Sequence, residues 1–141
     1  MNKIFEQQRF RKDTSDISED TLATRFERQV AAASDKIALV TDEISLTYRA
    51  LDLRANRFAA AFASLSSSRD RPIVLFMQDE AARIAAILGA LKANRIFIPI
   101  APDSPQKWIT QVVEDSGSAH IIVDNTTRSL AGLETTNTTS G

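Results

Sequence analysis

EAARIAAILGALKANRIFIPIAPD, residues Glu80 to Asp103, decides how the rest of the chain is read. Apolar residues crowd Ala81 to Leu91, polar residues follow from Lys92 to Arg95, and β-branched or aromatic residues fill Ile96 to Ile100. The pattern predicts a buried helix, a sharp break and a buried strand. A helix that is apolar nearly all round cannot sit on a surface, and a run as continuous as Ile96 to Ile100 suits a strand covered on both faces of a parallel sheet. The other segments are expected to be that cover.

Immediately before this stretch, Pro72 to Met77 is the strongest buried strand in the chain, and Gln78-Asp79 ends it and caps the central helix. Burying Ile84, Ile87, Leu88 and Leu91 of that helix should contribute about 1.5 to 3 kcal/mol each before entropy is subtracted. Gly89 is expected where the helix packs closely on the sheet. After the stretch, Ser104 and Pro105 are placed as cap and first residue of another helix, which turns Trp108, Ile109, Val112 and Val113 inward and stops near Gly117. Ala119 to Val123 is a last short strand. Strand, helix, strand, helix, strand from Pro72 onward predicts an α/β fold of three layers, a mostly parallel sheet flanked by helices with right-handed connections.

Further out, Leu22, Phe26 and Val30 recur at spacings of four behind a cap at Asp20 or Thr21, a helix that runs to about Ala33. Ile37 to Val40 and Ile44 to Leu46 alternate as a small N-terminal hairpin. Thr47 caps a long helix with Leu51, Ala55, Phe58, Ala59, Phe62 and Leu65 on its inner face, while Asp52, Arg54, Asn56 and Arg57 face away. Ser66 to Arg71 is a loop. Residues 1–20 show no sustained period and are read as a flexible arm, 21–125 as the folded unit, and 126–141 as a Thr-rich tail, with Asp124 onward nearly structureless.

At 141 residues the chain is one domain's worth, enough to bury roughly two-thirds of the surface its unfolded form exposes. Seventeen Lys and Arg stand against eighteen Asp and Glu, so no basic footprint points to nucleic acid. The absence of cysteine excludes disulfides, thiolate metal sites and cysteine nucleophiles. The charged start MNKIFEQQRFRKD has no signal-peptide core, and no run approaches the ~18 apolar residues of a membrane span. The expectation is a soluble cytoplasmic protein with no membrane partner.

The chemistry-bearing residues form no constellation. His120 lies in the middle of an apolar strand and reads as a satisfied or edge-strand imidazole rather than a ligand or base. Asp42-Glu43 and Glu114-Asp115 are adjacent carboxylates, and neighbours on a strand or helix diverge, so a turn and a solvated face are the readings. Asn125-Thr126-Thr127 and Asn137-Thr138-Thr139 match the glycosylation pattern without a secretory signal to give it meaning. A phosphate cradle needs clustered glycines, and Gly89, Gly117, Gly132 and Gly141 are scattered. No catalytic, cofactor-binding or metal-ligating residue is assigned.

Two segments nevertheless resemble a known family. Leu46, Thr47, Tyr48, Leu51 and Ala55-Asn56-Arg57 are similar to the first core motif of nonribosomal peptide synthetase adenylation domains and related adenylate-forming, AMP-binding ligases. Ala90-Leu91-Lys92-Ala93 leading into Phe97-Ile98-Pro99-Ile100 and Pro102 resembles the second, and Val113 to Gly117 with His120 to Asp124 resembles the helix and strand that follow. The resemblance covers about Leu22 to Asp124 in order. Where the family has a glycine pair after Leu-Lys-Ala, this chain has Asn94-Arg95; Asn94 can supply a left-handed helix end, whereas Arg95 would be strained there. The family's usual acidic residue is Ala101 here.

The resemblance implies a partial adenylation-domain fold. In the complete enzyme it implies ATP- and Mg-dependent activation of an amino or other carboxylic acid to an acyl adenylate, then transfer to a phosphopantetheine thiol, in secondary metabolite biosynthesis. It also implies that the phosphate loop, substrate pocket and catalytic lysine lie beyond this chain; Thr138-Thr139-Ser140-Gly141 echoes that loop but comes too soon after Asp124. The chain alone is expected to be an inert N-terminal fragment without cofactors of its own. Its expected partners are the remainder of the domain and a carrier protein, with the uncovered surface open to self-association. Two alternatives stand beside it: an autonomous interaction module docking through the arm or an open sheet edge, and a small nucleotide-binding protein using the loops at Gln78-Asp79 or Ala101 to Ser104.

Overall fold

A computed structural model describes residues 20–128. Helix α1 (Leu22–Ala33) is followed by an antiparallel hairpin of β1 (Ile37–Val40) and β2 (Ser45–Thr47), and then by α2 (Tyr48–Ala63). Three strands then alternate with two helices: β3 (Ile73–Phe76), α3 (Glu80–Lys92), β4 (Phe97–Pro99), α4 (Gln106–Ser116) and β5 (His120–Val123). The three form a parallel sheet in the order β4-β3-β5, so the predicted α/β architecture with its N-terminal hairpin holds.

Strand alternation builds the two faces of that sheet. Ile73 and Leu75 point into one core with Leu51, Phe58 and Phe62 of α2 and Ala81, Ala85, Ala86 and Ala90 of α3. Val74 and Phe76 point into the other, with Ile100 and Ile109. Helices α3 and α4 therefore cover opposite faces, as two crossovers of the same hand require when the chain steps one way across the sheet and then back. All four residues of β3 are fully buried, each worth about 1.5 to 3 kcal/mol before entropy.

Side-chain caps start three of the helices: Thr21 accepts from the Thr24 amide, Thr47 from Ala50 and Asp79 from Ala82. Helix α4 begins one residue later than expected. Pro105, with ψ of 144°, stands outside it as N-cap, and neither it nor Ser104 supplies a side-chain cap bond. Helix α3 ends in a Schellman turn, in which Asn94 takes φ of 52° and the amides of Asn94 and Arg95 donate to the carbonyls of Leu91 and Ala90. Arg95 is spared the positive φ, and Gly117 closes α4 at φ of 67°.

Burial departs from the pattern in several places. The strand read as covered on both faces is an edge: Ile96 and Pro99 are exposed and only Ile100 is buried, because β3 takes the centre. Proline, which lacks a ladder donor, is at home on such an edge. In α3 the fully buried face is the small one, Ala81, Ala85, Ala86, Gly89 and Ala90, while Ile84, Ile87, Leu88 and Leu91 are half-buried beside it. Gly89 meets α2 rather than the sheet, since a Cβ there would lie 2.5 Å from Phe58 Cβ and 2.9 Å from the Ala55 carbonyl oxygen. Trp108, read as inward, is 56% exposed, and Leu22, which opens the periodic pattern of α1, is 67% exposed. Asp52, read as outward, turns toward α3 to pair with Lys92.

Candidate functional site at the strand ends

Open α/β sheets take ligands outside the carboxyl ends of their strands, so the loops after β3, β4 and β5 are the candidate site. Two of them are tied together. The Asp79 amide, at the start of α3, donates to Asp124 Oδ2 at 2.8 Å, and Asp79 uses its own carboxylate to cap the helix. Asp124 Oδ1 accepts from the amides of Thr126 and Thr127 and lies 2.9 Å from the Thr127 hydroxyl oxygen, whose single hydrogen goes to the shorter contact with the Phe76 carbonyl. Thr127 is fully buried, and its Oγ1 donates to the Phe76 carbonyl at 2.6 Å while accepting from the Asp124 amide at 3.1 Å. The hydroxyl thus stands as a relay at the last rung between β3 and β5.

Partial burial pushes the Asp124 carboxyl up, but the amides of Asp79, Thr127 and Gln78 and the Thr127 hydroxyl outweigh it and hold the group below the usual carboxylate range. The expectation that the chain loses structure from Asp124 onward fails for 124–128, where these bonds and an Arg128 amide to Asp124 carbonyl bond close a turn. Asn125 is exposed, but the threonine that completes its glycosylation pattern is this buried Thr127. The second such pattern, the Thr138 to Gly141 echo and all of the residue 1–20 arm but Asp20, which pairs with Arg25 and Arg28, lie outside the described residues.

His120 and the paired carboxylates are not brought here. His120 pairs in register with Ile73 at the opposite end of the sheet, on an edge strand as expected, but its buried Nε2 has no hydrogen-bond partner among the described residues. Asp42-Glu43 sits in the hairpin turn, and Glu114-Asp115 lies on the exposed side of α4, where Asp115 accepts from Gln111. Ala101 to Ser104 forms a turn closed by the Ser104 amide on the Ala101 carbonyl. Among the described residues no group of three His, Cys, Asp or Glu side chains could hold a metal ion, and no helix is long and apolar enough to cross a membrane.

Two polar centres escaped the sequence reading. Arg95, 6% exposed, donates from Nε to the Phe62 carbonyl and from its terminal nitrogens to the carbonyls of Leu65, Ser67 and Ser68, so that one guanidinium caps the end of α2 and the loop beyond it. Lys92 joins α1, α2 and α3 through Asp52 Oδ1 at 2.8 Å and Glu27 Oε1 at 3.1 Å, with Phe26 beneath it. Burial lowers its pKa, and the two carboxylates overcome that and raise it above the ordinary lysine value. An Asp three residues before a Thr, just after an apolar strand, is a readable turn signal for the strand-end centre; a lone Arg between two apolar blocks gave no comparable sign of Arg95.

The likeness to known proteins agrees with this architecture. A family model described as AMP-binding enzyme matches residues 26–140. Tyrocidine synthase 3 of Brevibacillus parabrevis is 36% identical over 102 residues, 72% of this chain and 2% of that protein. The anthranilate CoA ligase AuaEII, crystallised with anthranoyl-AMP, superposes with a TM-score of 0.71 at 21% identity, over 78% of this chain and 21% of that one. The N-terminal subdomain of Klebsiella oxytoca NpsA, in complex with 3-hydroxybenzoyl-AMSN, gives 0.67 at 20% identity, over 74% of this chain and 26% of that one. The chain thus spans a small part of the length of the relatives it matches. It belongs to the AMP-binding enzyme family and carries part of the adenylation-domain N-terminal fold.

Proposed function

We propose that this chain is scaffold for an adenylate-forming domain that, when complete, activates an amino or other carboxylic acid, and that the 141 residues alone are catalytically inert. In the complete reaction a substrate carboxylate oxygen attacks the α-phosphorus of ATP and pyrophosphate leaves; a phosphopantetheine thiolate then attacks the acyl carbon and AMP leaves. Such steps need cationic donors and a metal at the developing phosphoryl charge. The described residues do not fit magnesium, since no three carboxylate or imidazole side chains among them converge, and Asp79 Oδ1 and both oxygens of Asp124 already accept from backbone amides.

The observation that carries the reading is the strand-end centre. The α3 N-terminus is the anion-seeking position beside β3, and Asp124 and Asp79 of the chain itself occupy it. This weighs against the small nucleotide-binding alternative. The exposed apolar side chains of Ile37, Val40, Leu53, Ile96 and Trp108 favour a further partner, which we take to be the remainder of the domain, with a carrier protein as the acyl acceptor. Calorimetric titration of the chain with ATP and magnesium tests the proposal: no heat up to millimolar nucleotide is expected, and saturable one-to-one binding would overturn it. Sedimentation over a concentration series then reports whether the exposed side chains drive self-association.

A further inference from the structure

We draw no further inference here: the strongest candidate, the outer edge of β5 (His120–Val123) in the three-stranded sheet, is a strand edge without a partner among the described residues, and nothing in the structure shows what covers it.

Discussion

The two ends of the parallel sheet are fastened by opposite chemistry. At the amino end of the strands α2 and α4 finish, and helix ends leave carbonyls without partners; arginines answer them, Arg95 on Phe62, Leu65, Ser67 and Ser68, and Arg71 on Gly117. At the carboxyl end α3 begins and leaves amides, which Asp79 and Asp124 answer with oxygens, while Thr127 Oγ1 accepts from the Asp124 amide beyond β5. Permanent cations hold one end, and a titratable carboxylate with a hydroxyl holds the other. The chain's alternation of strands and helices dictates which groups are orphaned at each end, and residue choice follows from that.

The contrast breaks most visibly at Arg95. Arg95→Met keeps the apolar stem and strands several carbonyls, so it should cost about 3 kcal/mol or more, read as a lowered urea midpoint with an unchanged slope. An effect below about 1 kcal/mol would mean that water replaces the guanidinium freely. At the other end Thr127→Val removes the relay while keeping its shape, for an expected loss of about 1 to 2 kcal/mol; Thr127→Ser, which can still donate and accept, should lose clearly less.

Acid sharpens the contrast. The Asp124 pKa is depressed in the folded chain, so its stabilisation is present above the ordinary carboxylate range and lost as pH falls from there through the folded value. Asp124→Asn should cost about 1 kcal/mol at neutral pH and flatten the acid limb of a stability-against-pH curve, whereas Arg95→Met should lower that curve in parallel. Asp20 is also depressed, by the Arg25 hydrogen bond and the Arg28 charge against opposing burial, so Asp20→Asn is the control that separates an α1 contribution. The smallest effect is expected at Arg71, whose side chain is exposed. Arg71→Ala should shift the midpoint by no more than about 0.5 kcal/mol.

Much of the fold was legible because it rests on periodicity. The order of elements, the hairpin, the caps at Thr47 and Asp79 and the left-handed ends at Asn94 and Gly117 can all be read from local residue chemistry. What failed was depth. Apolar runs say that a segment is covered without saying by how much, and Ile96 to Ile100 became an edge because, among the described residues, the parallel sheet has three strands with β3 at its centre. Size inverted the expectation in α3: two helices approach most closely through alanine and glycine, leaving the isoleucines and leucines to fill the flanks. The strand-end centre was least legible, since it joins positions 45 to 51 residues apart, Asp79 to Asp124 and Phe76 to Thr127. No window of local pattern spans that distance.

Gly89 carries a consequence for how this layer tolerates change. The obstacles to a side chain there are Phe58 Cβ and the backbone of Ala55 and Ala59, atoms that every residue but glycine places in the same spot or that no substitution removes. Trimming Phe58 to alanine makes no room, and the only relief is for the two helix axes to part. The gap between α2 and α3 is therefore gauged by an absent atom. Lys92, one turn further along, reaches Asp52 at 2.8 Å across that gap, so widening it at Gly89 would also stretch the ion pair.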